Sequence, residues 1–106
     1  MSRHNETTKV VAVATIAAVD TAADLDLQAD GKGSSGQEYV MVADYDVRFK
    51  ISPTTPSGVA VTDQLWPRLV PKYFIARNIG GVVDRYLGVW SIGLDTKITV
   101  SRVIRY

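Results

Sequence analysis

A chain of 106 residues with a formal net charge of +1 holds a single domain, and that charge is too small to point to nucleic acid or a membrane surface as a partner. It contains no cysteine and one histidine, His4. That excludes disulfide staples and thiolate metal sites, and leaves one chain nothing from which to build a His-based metal centre or a Ser-His triad.

In chain order, residues 1–9 are polar apart from Met1 and read as a flexible N-terminal arm, too poor in apolar surface to offset its own ordering entropy. The β domain is expected to occupy residues 10–106. It opens with the apolar run Val10–Val19, at ten residues too short for a membrane span, which needs about 20. Alanine favours helix there, but Val10, Val11, Val13, Thr15 and Ile16 are β-branched, and a strand is the better reading. The polar, acid-containing stretch before the run and Asp20 after it argue against a signal peptide.

Residues 20–38 are rich in Asp, Gly and Ser, and Asp30–Gly36 reads as a turn or mobile loop. Tyr39–Ala43 is a short strand. Asp46–Ile51 alternates cleanly, with Val47, Phe49 and Ile51 on one face and Asp46, Arg48 and Lys50 on the other. Four prolines then interrupt residues 52–71, leaving a loop with a short extended piece at Val59–Thr62. The last third reads as a meander: a strand over Lys72–Asn78, a tight turn at Gly80-Gly81, a long strand over Val82–Ile92 with a bulge or bend at Gly88, a turn at Gly93–Asp95, and a closing strand over Thr96–Arg105. Many short strands must cover one another's apolar faces. The fold class is therefore all-β: an antiparallel sandwich, jelly-roll or Ig-like, or a small barrel.

No motif defines an active site. Asp24, Asp26, Gln28 and Asp30 are spaced like a calcium loop, but counting from Asp26 the twelfth place holds Gln37 where a bidentate Glu belongs. Leu25 and Leu27, alternating with the aspartates, describe a half-buried strand equally well. Gly31–Gly36 lacks the spacing of a phosphate-binding loop. Asp44 and Asp46 share a strand face but nothing separates their environments, as acid/base pairs require. No enzyme activity, cofactor or metal is expected.

The aromatic residues Trp66, Tyr73, Phe74, Tyr86, Trp90 and Tyr106 suit a ligand platform, core packing or a protein interface. Leu65 and Trp66 lie in the proline-bounded stretch, where both exposed would form an apolar patch. With Arg68 and Lys72 they are the candidate interface residues. Residues 1–53 carry five Lys/Arg and eight Asp/Glu, residues 54–106 seven and three. Arg68 and Lys72 could thus meet Asp24, Asp26 or Asp30 of another copy.

The sequence Asp46-Val47-Arg48-Phe49-Lys50-Ile51, a Thr/Pro/Ser/Gly loop, Thr62-Asp63-Gln64-Leu65-Trp66-Pro67, then Lys72-Tyr73-Phe74-Ile75 and a closing β-turn-β resembles small virion structural proteins of tailed bacteriophages. The resemblance spans about residues 39–104. It implies a capsid decoration or cement protein on the virion surface, assembled in the host cytoplasm. Its partners would be the major capsid protein and other copies of itself in a symmetric homo-oligomer such as a trimer, with neither nucleic acid nor membrane. The alternative is a ligand- or sugar-binding β module of a phage tail or spike.

Overall fold

A computed structural model describes residues 6–16, 22–29, 31, 35–60, 62–93 and 95–105. Among these there is no helix. The strands are β1 (Glu6–Ile16), β2 (Ala22–Asp26), β3 (Glu38–Ala43), β4 (Val47–Ser52), β5 (Gln64–Trp66), β6 (Lys72–Ile75), β7 (Asn78–Ile79), β8 (Val82–Val83), β9 (Tyr86–Ser91) and β10 (Thr96–Arg105). All pairings are antiparallel. One sheet has the order β1-β10-β3-β6, the other β2-β9-β4-β5, and β7-β8 is a separate hairpin.

Without that hairpin, eight strands remain, four in each sheet, and the chain changes sheet at every connection except β4 to β5. This is the jelly roll. The Ig-like alternative is set aside, because there the first two strands share a sheet, whereas β1 and β2 lie in different ones.

The core lies between the sheets and follows the period-two patterns. Val47 and Phe49 of β4, Leu87 and Val89 of β9 and Leu25 of β2 meet Tyr39, Met41 and Ala43 of β3, Ile98 and Val100 of β10 and Phe74 of β6. Tyr39 and Phe74 stack at 5.7 Å between ring centroids. Fully burying a side chain of this size contributes roughly 1.5–3 kcal/mol, so these residues supply the main stabilisation that a chain without disulfides has.

Several boundaries differ from the sequence reading. β1 begins at Glu6, so Glu6–Lys9, expected in the arm, pair with Arg105–Arg102 of β10. Backbone pairing to a neighbouring strand needs no apolar side chains, which is why composition missed it. The extended piece after β4 is Gln64–Trp66, not Val59–Thr62. The long strand expected over Val82–Ile92 breaks at Asp84 and Arg85. Buried Asp84 accepts from the Arg77 backbone N–H (3.0 Å) and Nε (2.9 Å), closing the base of the β7-β8 hairpin. At the hairpin tip, Gly80 and Gly81 have φ of 62° and 86°, the left-handed pair that a two-residue turn requires. Gly88 is not a bulge, since its register with Lys50 and with Asp24 is continuous.

Candidate assembly surfaces

The two sheets bury their inner faces alike but differ on the outside. On the β2-β9-β4-β5 sheet, register places Asp24, Gly88 and Lys50 in one outward row and Ala22, Trp90, Arg48 and Leu65 in another. The loop after β4 folds back over this face. Asp24 accepts hydrogen bonds from the Ser57 hydroxyl, the Ser57 backbone N–H (3.0 Å) and the Thr55 hydroxyl (3.0 Å). Ser57 sits directly on Gly88, where a Cβ would come within 1.9 Å of its Oγ. Glycine is therefore needed at position 88 for close approach rather than for backbone conformation. Farther along the loop, Arg48 Nη1 donates to the Asp63 carbonyl (2.8 Å), and the Asp63 carboxylate accepts from the Ala60 N–H (2.8 Å). Burial pushes the Asp24 carboxyl up, but the Ser57 and Thr55 hydrogen bonds outweigh it and the group titrates below its ordinary value. Asp26 is lowered by its bidentate pair with Arg85, at 3.0 Å for both bonds.

On the β1-β10-β3-β6 sheet, β1 has an irregularity between Val10 and Ala12. A regular strand would turn Val10 and Val13 to opposite faces; the extra residue, Val11, brings both to the outside. The outward rows are then Val10, Ser101, Val40 and Tyr73, with Val13, Thr99 and Val42 beside them. Neither row holds a charge. Val10, Val13 and Ile75 are each more than half exposed. The Tyr73 hydroxyl donates to Glu6 Oε2 (3.2 Å); since β6 and β1 are opposite edges of the sheet, the two side chains reach across β3 and β10 to meet. This strap accounts for the burial of Val40 and Ser101 on an outward face. Four strands spaced about 4.8 Å apart and about seven residues of rise give a face of roughly 400 Å². That matches the largest patches on soluble monomers, which are often functional. No loop of the described residues crosses it as the Ser57 loop crosses the other sheet.

The four candidate interface residues are brought only partly together. Register turns Leu65 outward beside Arg48 and turns Trp66 inward beside Val47. Trp66 packs edge-on against Phe49 at 6.3 Å, its Nε1 donates to the Val70 carbonyl (2.7 Å), and the Lys72 ammonium lies 4.7 Å from its ring centroid. Arg68 is exposed in the β5-β6 turn, held through its backbone N–H by Asp46 (2.8 Å). Its neighbour Leu69 has a φ of 61° and is exposed, and its N–H donates to the Ala43 carbonyl (2.7 Å). Asp24 and Asp26, read as partners for Arg68 and Lys72 of another copy, are engaged within the chain; Asp30 lies outside the described residues. Asp44 caps the Lys97 N–H (2.8 Å) while Asp46 caps Arg68, so each carboxylate has a separate structural task. The aromatics do not line up as a platform: Phe74 is core, Tyr73 faces outward on one sheet, and Tyr86 and Trp90 face outward on the other. Tyr106 lies outside the described residues. The two uncharged outward rows of the β1-β10-β3-β6 sheet were not visible to sequence reasoning. Their one local signal is the pair of valines three apart, Val10 and Val13.

No family model and no curated protein matches the chain. Among solved structures, the coat protein of Tobacco streak virus is similar over 100% of this chain and 90% of its own, with a TM-score of 0.46 and 12% identity. Similarity at that distance bears on neither fold nor function.

Proposed function

We propose that the chain is a non-enzymatic structural subunit of a virus particle, of the capsid decoration or cement type, that docks through the outer face of its β1-β10-β3-β6 sheet. The observation that supports this is the pair of uncharged, valine-rich rows at the centre of that face. An antiparallel sheet with one wet side normally alternates apolar-in and polar-out, and here the two central outward rows are Val10, Ser101, Val40 and Tyr73, and Val13, Thr99 and Val42. Covering the two central rows with another protein surface buries no side chain charged in those rows, while Glu38 and Lys97 of the flanking rows can stay at the wet rim. Its partners in this reading are other copies of the chain and the major capsid protein, and its place is the virion. Jelly rolls serve as capsid domains and also as lectins, so the fold agrees with the reading without deciding it.

The test is the double substitution Val10→Glu/Val13→Glu. The subunit should remain folded by circular dichroism while self-association, followed by sedimentation, and binding to shells lacking it both weaken at least tenfold. Unchanged self-association together with unchanged shell binding would remove this face from the proposal.

A further inference from the structure

At one side of the sandwich β1 and β2 lie against each other; at the other side the sheets gape. β5 pairs with β4 only from Val47 to Phe49, so Lys50–Ser52 have no strand beyond them. β6 is the edge of the opposite sheet. Between these two free edges runs a groove of about 670 Å³ whose floor is Phe49, Ile51 and Phe74. That volume falls within the range of small-molecule sites, which are mostly apolar with a few placed polar groups.

The charges at the groove are one-sided. Lys72 and Arg77 line it with a single acid, Glu38, and Glu38 has an interaction of its own; Lys50 also borders the groove, but its side chain stands on the outer face of its sheet with the ammonium beside Gly58. Arg77 is committed to Asp84. Among the described residues Lys50 and Lys72 make no ion pair; the Lys72 ammonium instead lies over the Phe49 ring at 5.6 Å and the Trp66 ring at 4.7 Å. A cation resting on aromatic faces beside an apolar floor remains able to receive an anion.

We propose that this groove binds a single-chain anionic amphiphile, an alkyl carboxylate being the simplest. The chain lies along Phe49, Ile51 and Phe74, and the carboxylate meets Lys72. The groove shares Tyr73 and Ile75 with the β6 edge of the outer sheet face but not Val10 or Val13 of β1, so ligand binding and assembly can be tested apart.

Sodium decanoate, below its micelle-forming concentration, is titrated into the full chain by calorimetry, with decanamide as the uncharged counterpart. Saturable binding of one decanoate per chain is expected, at least tenfold tighter than decanamide and at least tenfold weakened by Lys72→Gln. Amide shifts should cluster at Phe49, Ile51, Phe74 and Ile75. The absence of saturation, equal affinity for decanamide, or shifts centred on Val10 and Val13 would each overturn the proposal. Should Lys72→Gln fail to fold, the decanamide comparison and the shift map on the native chain still decide it.

Discussion

The two outer sheet faces of this jelly roll solve the same problem differently. The β2-β9-β4-β5 face holds Asp24, Asp26, Arg48 and Lys50, and the chain covers it with its own loop, using Asp24 as an acceptor for Ser57 and Thr55. The centre of the β1-β10-β3-β6 face holds valines, threonine, serine and tyrosine, and the Tyr73–Glu6 strap crosses it. The contrast separates two uses of surface. Polar side chains on a sheet can anchor an intramolecular loop through directed hydrogen bonds, whereas rows of valine with small hydroxyl side chains offer fewer such anchors and are better suited to a second protein surface.

The difference can be broken most severely at Gly88. Gly88→Val should push Ser57 off the sheet and cost about 3 kcal/mol of stability, at the upper end of overpacking effects, measured by urea denaturation. Unaltered stability would mean that the loop does not rest on the sheet as described. Trp66→Ala should cost about 2 kcal/mol of folding stability. That lies below the 3–5 kcal/mol of a fully buried aromatic, because the indole is half-buried and held by Phe49, Lys72 and Val70 of its own chain. A variant that folds with native stability but fails to associate would instead assign Trp66 to an interface.

A smaller effect is expected at Asp24. Asp24→Ala leaves the Ser57 N–H and hydroxyl without their acceptor and should cost about 1–2 kcal/mol, with Asp24→Asn restoring part of it. Acid provides a related test. Asp24 and Asp26 both titrate below their ordinary value in the folded chain. Their contribution is therefore fully present above the unfolded carboxylate value, roughly 3.9, and is lost as pH falls through the lowered folded values. Melting temperature should decline as pH falls below about 4, and the decline should be shallower in Asp24→Asn. The same slope in the native chain and the variant would show that Asp24 carries no share of it. The smallest effect on folding belongs to the bare face: Val13→Thr should change monomer stability by no more than about 0.5 kcal/mol, and a larger loss would show that Val13 is packed within the subunit.

Much of the framework can be read locally. Val47, Phe49 and Ile51 alternate with charged neighbours, and Ile98 and Val100 repeat the pattern, so strand type and inward face follow from nearest neighbours alone. Gly80-Gly81 announces its turn in the same way. The aspartates after Ala23 were legible as the outer side of a half-buried strand, with Leu25 and Leu27 inside. The candidate interface was less so. Leu65 and Trp66 are adjacent in sequence, yet pairing with Arg48 and Val47 turns them to opposite faces.

The amino-acid order by itself determined an all-β domain and the inward face at Val47, Phe49 and Ile51, because side-chain alternation is a property of consecutive positions. Tertiary structure alone decided that Gly88 serves the loop at Ser57, that Glu6–Lys9 join a sheet, and that Val10 and Val13 share an outer face. Each depends on which distant backbone lies alongside and in what register. A single extra residue at Val11 reverses the face of residues 6–10, and only the partner strand β10 reveals that it is there.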